Sequence, residues 1–188
     1  MSKTKYPRAI ALAVAKELCA YLSPFTERLI VAGSLRRRKL EVGDVEILFV
    51  PKFEQRALDF FSKTTVSMAD EMLSPLCQNG IIEKRPNVNG STMWGEKNKF
   101  AVHVATGVPV DLFTATAENW FNYLVCRTGS AENNMAIATA AQARGWKWNP
   151  YGAGFTNPQT RETHLVTSEQ SVYEFVGLPY KEPWERNS

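Results

Sequence analysis

Sulfur and imidazole are scarce, with three cysteines and two histidines in 188 residues. Cys19, Cys77 and Cys126 are odd in number and widely spaced, which argues against a disulfide framework and a zinc site. Single buried or half-buried thiols are expected instead. His103 and His164 stand apart, with no partner at ligand spacing, so a surface or strand-edge place is expected for each. No apolar run approaches about 18 residues, and the opening MSKTKYPRAI lacks the apolar core of a secretion signal. A soluble, unexported intracellular protein is the expectation. Neither sign of charge dominates: 22 Lys and Arg against 19 Asp and Glu leave a net +3, too mild by itself to identify a nucleic-acid binder. There is no internal repeat, low-complexity tract or long linker. With 44% apolar residues, one substantial core in a unit of two subdomains is expected.

What is present is concentrated in Gly33-Ser34-Leu35-Arg36-Arg37 and the following Gly43-Asp44-Val45-Glu46. Residues 44–50, DVEILFV, read as a buried strand. Residues two apart in a strand project from one face, so Asp44 and Glu46 sit side by side. Two such anions repel unless cations lie between them. A pair of divalent ions roughly 3.5–4 Å apart, clamping an in-line phosphoryl displacement, suits them. Oxygen ligands of this kind favour Mg²⁺ or Mn²⁺.

A third carboxylate is expected, and Asp111 in VPVDLF is the best candidate. Residues 97–105, a turn at Thr106-Gly107 and residues 108–113 read as a hairpin. An acid inside such a strand is costly to bury alone, and a metal shared with Asp44 accounts for it. The alternative is an aspartate at a strand end bonded to backbone amides. In the loop, Gly33 permits close backbone approach, Ser34 offers a hydroxyl and an amide, and Arg36, Arg37 and Arg38 present planar forks to phosphate oxygens. A short helix beginning at Ser34 would add free N–H groups. A basic solvated turn is the plainer reading of the arginines alone.

These residues resemble the nucleotidyltransferases of the DNA polymerase beta family, family X, in which a Gly-Ser-x-Arg-Arg turn leads into a Gly-Asp-x-Asp strand. Residues 127–151, RTGSAENNMAIATAAQARGWKWNPY, are similar to the family's Thr-Gly-Ser turn, its helix and the Asn-x-Tyr segment. TSEQSVYEFVGLPYKEPWERN resembles the closing segment, ending in Pro-x-x-x-Arg, and Pro7-Arg8 matches the element before the first catalytic strand. The likeness runs through nearly all of the chain. It implies an α+β fold: a polymerase beta-like palm, residues 1–115, with a mixed sheet backed by helices. A small C-terminal α/β subdomain, residues 116–188, would select the nucleotide.

The resemblance further implies that Asp44, Glu46 and Asp111 bind two Mg²⁺ or Mn²⁺ ions, with Asp111 placed to activate a primer 3′-hydroxyl. Ser34, Arg37 and Gly43 would hold the triphosphate, joined by Arg8. Gly129, Ser130 and Asn134 would line the sugar and base. Positioning and charge neutralisation supply most of the catalysis in such transfers. The family pattern is broken in three places. Glu46 replaces an aspartate and moves its carboxylate outward by about one bond length. Cys126-Arg127 replaces an aromatic pair that faces the sugar, and Ala138 replaces an arginine that touches the template. Slower catalysis, weaker sugar discrimination and low fidelity are the corresponding expectations.

Along the chain, residues 7–21 read as a helix with proline at its start, and 27–32 as a strand. Pro51 is expected to stop pairing. Residues 54–62 and 67–79 read as helices, the second closed by Asn79-Gly80, followed by the strand IIEKR and a turn-rich loop over 86–96. Residues 117–126 and 130–144 form a helix pair broken at Thr128-Gly129, with Ser130 as cap and Gly145 as stop. Short strands near 146–149 and 153–156 precede a last helix capped by Ser168. Basic residues Arg36 to Lys39, Lys84-Arg85, Lys97, Lys99, Arg144 and Lys147, interleaved with Trp94, Trp146, Trp148 and Tyr151, suit phosphate backbones and base stacking. Against that, Trp146 and Trp148 can alternate on a strand and pack the core.

Function follows as an expectation: a monomeric DNA-directed DNA polymerase that adds dNTPs to a primer and fills short gaps in a primer-template or gapped duplex during repair, without a membrane. A template-independent or small-acceptor nucleotidyltransferase is the alternative within this chemistry. A catalytically weak nucleic-acid-binding relative lies outside it. The chain is expected to lack the lyase and helix-hairpin-helix modules of larger relatives, as in small viral members, so weak and salt-sensitive DNA binding is expected.

Overall fold

The computed structural model describes residues 4–58, 62–86 and 89–187. In chain order the elements are β1 (Tyr6–Pro7), α1 (Arg8–Leu22), β2 (Thr26–Val31), α2 (Gly33–Arg36), β3 (Glu41–Val42), β4 (Val45–Pro51), β5 (Phe53–Ala57) and β6 (Lys63–Ser67). Then come α3 (Met68–Gln78), β7 (Ile82–Lys84), β8 (Asn98–His103), β9 (Pro109–Thr114), α4 (Trp120–Thr128) and α5 (Ala131–Ala143). The last elements are β10 (Lys147–Trp148), β11 (Gly154–Thr156), β12 (Thr163–Leu165) and α6 (Glu169–Val176). The chain divides into two compact units: Met1–Val31 with Leu40–Thr114, and Ala32–Lys39 with Ala115–Ser188. Residues 32–39, inside the span expected for the palm, therefore belong with the C-terminal part.

The first unit is built on a five-stranded mixed sheet in the order β2, β4, β9, β8, β7. Only β4 and β9 run parallel; the other neighbours are antiparallel. Parallel neighbours need a long crossover. Here the crossover contains a separate ribbon of β5 and β6, then α3, β7 and β8. The interior of β4, with Ile47, Leu48 and Phe49 wholly buried, matches the continuous apolar run of its sequence. Helices α1 and α3 pack on the sheet, burying Leu18, Leu22, Leu73 and Leu76. Gly107 turns the β8–β9 hairpin at φ 71°, a left-handed conformation that favours glycine.

Three expectations about this unit change. Of the helix expected over 54–62, residues 54–57 are strand instead: β5 pairs with β6 in an antiparallel ribbon, and residues 59–61 lie outside the described ones. The β-branched Thr64, Thr65 and Val66 supply the partner strand, and pairing overrides the helical propensity of Glu54 to Leu58. Pro51 does not stop pairing either, because it stands opposite Thr26 as the last residue of β4. His103 is interior rather than superficial. Its Nε2 lies 3.3 Å from Glu17 Oε2, and its Nδ1 lies 2.8 Å from Thr106 Oγ1.

In the second unit, α4, α5 and α6 enclose a core with a three-stranded sheet of β10, β11 and β12. Val125, Ile137, Phe155, Val172 and Tyr173 form its centre. Ser130 caps α5 by accepting from Asn133 N at 3.1 Å, and Ser168 caps α6 by accepting from Ser171 N at 3.0 Å. Asn122, fully buried, holds the turn after β10. Its Nδ2 donates to Asn149 O and Gly152 O, while its Oδ1 accepts from Trp148 Nε1 at 2.7 Å. Strand β12 had no counterpart in the sequence reading.

Candidate active site

The expected site residues fall in both units. Asp44, Glu46, Asp111, Gly43 and Arg8 lie in the first; Ser34, Arg37, Gly129, Ser130 and Asn134 lie in the second.

In the first unit the parallel register places Glu46 directly beside Asp111. Asp44 precedes β4 by one residue, so strand alternation puts it on the same side as Glu46. All three are half-buried. Phe100 of β8 pairs with Asp111 from the other side, and Asp111 Oδ1 accepts a hydrogen bond from Arg85 Nη2. The segment carrying Gly43 and Asp44 is held by β3, which pairs with β1: Tyr6 stands opposite Val42 and Pro7 opposite Glu41. The Arg8 amide continues that ladder by donating to Leu40 O at 2.8 Å. Arg8 is thereby brought to the chain that leads into Asp44.

Oxygen donors fit Mg²⁺ or Mn²⁺, and two adjoining, half-buried carboxylates are a donor set of that kind. Among the described residues, however, no group of three His, Cys, Asp or Glu side chains is gathered so as to hold a metal ion. The backbone brings the acids into register, while the Asp111 carboxylate is engaged by a guanidinium.

In the second unit Arg36 and Arg37 of the Gly-Ser turn are half-buried and bonded within the protein, while Arg38 is exposed. Arg36 donates from both terminal nitrogens to Glu169 and also to Thr128 Oγ1 at 2.7 Å. Arg37 Nη1 donates to Thr128 O at 2.7 Å and Gly129 O at 3.2 Å, and its Nε to Asn187 Oδ1 at 3.2 Å. Arg38 lies 3.9 Å from the Trp184 ring centroid. These bonds explain why residues 32–39 join this unit. They also bring Arg37 to the Gly129-Ser130 turn. Ser34 lies on the single turn of α2, where its carbonyl accepts from Lys39 N at 3.1 Å.

Gly129 packs closely against the asparagines, because a Cβ there would lie 2.6 Å from Asn134 Oδ1 and 2.8 Å from Asn133 Nδ2, so a side chain would have to displace them. Asn134 Nδ2 donates to Cys126 O at 2.8 Å, while Asn134 Oδ1 is buried with no hydrogen-bond partner. Ser130 spends its hydroxyl on the α5 cap, and its amide donates to Arg186 O at 3.1 Å. Burial pushes the Glu169 carboxyl up, but hydrogen bonding from Arg36 and the charges of Arg36 and Arg186 outweigh it and hold the group below its ordinary value.

The basic-aromatic surface is smaller than expected. Lys99 is buried and paired with Asp70 at 2.9 Å. Trp148 is core, and Trp146 packs edge-on to Phe175 with centroids 5.1 Å apart. Among the cation–aromatic pairs, Lys84 over Trp94 at 4.8 Å, Arg127 over Tyr151 at 5.6 Å and Arg38 over Trp184 at 3.9 Å keep partial exposure. Two site features escaped the sequence reading. Arg85 was visible only as part of a basic run, and the service of Glu169 to Arg36 has no local signal.

Residues 123–187 match the family model for the DNA polymerase beta thumb. Over 187 residues, 98% of this chain, the sequence is 25% identical to the DNA polymerase/3′-5′ exonuclease PolX of Bacillus subtilis (strain 168), and it spans 29% of that protein's length. The solved structure of Leishmania infantum polymerase beta, a ternary P/T complex, is similar with a TM-score of 0.72. The identity is 18%, over 98% of this chain and 77% of that one. At that identity the likeness establishes the fold, a mixed α+β arrangement with a mixed sheet backed by helices. No helix among the described residues is long and apolar enough to cross a membrane.

Proposed function

We propose, from the premise that the chain is a family X polymerase-like protein, that it is a DNA-directed DNA polymerase extending a primer 3′-hydroxyl by nucleotidyl transfer. The substrates would be dNTPs and a primer-template or gapped duplex, the setting short-gap filling in repair, and the working form a monomer. The observation that carries the reading is the lateral pairing of Glu46 with Asp111 on parallel strands, next to the Gly43-Asp44 segment that β1 and Arg8 hold. Such adjacency of carboxylates has little structural benefit of its own, since like charges side by side repel.

In the proposed reaction the 3′-oxygen attacks the α-phosphorus, the bond to the β-phosphate breaks, pyrophosphate leaves, and the hydroxyl proton departs toward Asp111. Asp44, Glu46 and Asp111 would hold two Mg²⁺ or Mn²⁺ ions, which supply charge neutralisation at the attacking and leaving oxygens when bound. Ser34, Arg37 and Gly43, with Arg8, would hold the triphosphate, and Gly129, Ser130 and Asn134 would meet the sugar and base. The buried, unpartnered Oδ1 of Asn134 supports its part in that set.

Asp111→Asn tests the reading on a one-nucleotide-gapped duplex with each dNTP and either metal. Extension is expected to fall at least a hundredfold, as when a charge that acts on the reacting centre is lost. Extension at the unmodified rate by a folded variant would rule the assignment out, and equal extension without a template strand would replace it by template-independent transfer.

A further inference from the structure

Arg85 follows β7, and its side chain is tied at three points inside the first unit. Its Nε donates to Ala101 O at 2.9 Å, its guanidinium carbon lies 5.0 Å from the Phe100 ring centroid, and its Nη2 donates to Asp111 Oδ1. The backbone agrees with the side chain: the Arg85 amide donates to Phe100 O at 3.0 Å, Phe100 pairs with Asp111, and Asp111 pairs with Glu46. Arg85, Phe100, Asp111 and Glu46 thus form one lateral row across the sheet. A guanidinium stacked on a ring and bonded to a carbonyl has little freedom left, so it meets the carboxylate at a fixed angle. With 27% of the Arg85 side chain and 17% of that of Asp111 exposed, the pair is only partly screened by water.

We propose that Arg85 is the resident counter-charge of this acidic row: a positioning residue that orients the Asp111 carboxylate and competes with a divalent cation for it. The inference rests on the reading of Asp111 as a metal-binding carboxylate. Without the arginine, Glu46 and Asp111 stand together with one positive neighbour fewer, and a more negative site holds a dication more tightly. With it, the site holds the cation weakly by itself.

The test is Mn²⁺ binding to the full chain without nucleotide or DNA, read from the electron paramagnetic resonance of free Mn²⁺. Arg85→Met and Arg85→Gln are each expected to bind Mn²⁺ about tenfold more tightly than the unmodified protein, a shift of the size an adjacent charge produces. The gain is expected to vanish when Asp111→Asn is added. A purely structural arginine would weaken folding without raising metal affinity. Should Arg85→Met not fold, Arg85→Gln, which keeps amide donors near the Ala101 carbonyl, carries the comparison. Folded variants with unchanged Mn²⁺ affinity, or a gain that survives Asp111→Asn, overturn the proposal. No Mn²⁺ uptake by any of these proteins overturns it together with the metal reading. Primer extension separates the two ideas: tighter Mn²⁺ binding in a protein that extends nothing refutes the polymerase and leaves the counter-charge, and normal extension with no shift does the reverse.

Discussion

Arg36 grips Glu169 with both ends of its fork: Nη1 donates to Oε2 at 2.9 Å and Nη2 to Oε1 at 2.5 Å. The residues are 133 positions apart, one in the Gly-Ser turn and one opening α6. Arg186, with no exposed surface, donates to the same Oε2 at 2.6 Å, while its Nε donates to Lys181 O at 2.9 Å. One carboxylate therefore serves two guanidinium groups. A buried charge left without its partner costs more than the pair itself contributes.

Replacing Glu169 by glutamine keeps the shape and removes the charge that both arginines need. The expected loss is about 3 kcal/mol of unfolding free energy, in the range for breaking a buried ion pair. Urea denaturation of both proteins measures it. A loss below about 0.5 kcal/mol, the scale of ordinary surface substitutions, would show that the network is not structural.

The same carboxylate makes stability depend on pH. Its value in the folded chain lies below the ordinary 4.5, because Arg36 and Arg186 outweigh its burial. A depressed carboxylate contributes stability that is complete above its unfolded value and is lost as pH falls through the folded one. The stability difference between the unmodified protein and Glu169→Gln should be constant from pH 7 to about 5.5, then shrink below about 4.5. Melting curves of the two proteins at matched ionic strength give this directly. A difference that grows on acidification contradicts the sign.

Local chemistry was legible in the sequence wherever a few adjacent residues decide the outcome. Pro7 before α1, the Ser130 and Ser168 caps, and the left-handed stops at Gly80 and Gly145 are events of this kind. The apolar runs DVEILFV and VPVDLF located the two acidic strands. Their adjacency was expected from the metal reading and the family resemblance, but the parallel register that joins β4 to β9 across the β5–β6 ribbon, α3 and β8 was not readable. For the same reason Lys99 looked like a surface cation until Asp70 met it in the interior, and His103 looked superficial until Glu17 and Thr106 enclosed it. The loop arginines show the limit most clearly. Planar forks beside a glycine turn suit phosphate, but they suit Glu169, the carbonyls of residues 128 and 129, and the face of Trp184 equally well.

Gly177 ends α6 in the left-handed region, at φ 71°, and its amide donates to Glu174 O at 3.0 Å. The Arg144 side chain lies across it: Nη1 donates to Phe175 O at 2.9 Å, and a Cβ built on Gly177 would overlap Nη2. Alanine there suffers the left-handed backbone and must also push the guanidinium off a terminal carbonyl of the helix. The backbone part alone is about 1 kcal/mol, and the displaced hydrogen bond adds about 1 kcal/mol more. Gly177→Ala should lower the melting temperature by roughly 4–8 °C, taking 2–4 °C per kcal/mol for a chain of this size. Arg144→Ala in the same background separates the two causes. With the guanidinium gone, the further cost of Gly177→Ala should drop to the backbone part. An undiminished cost in that double variant would mean that the arginine makes no steric demand on the glycine.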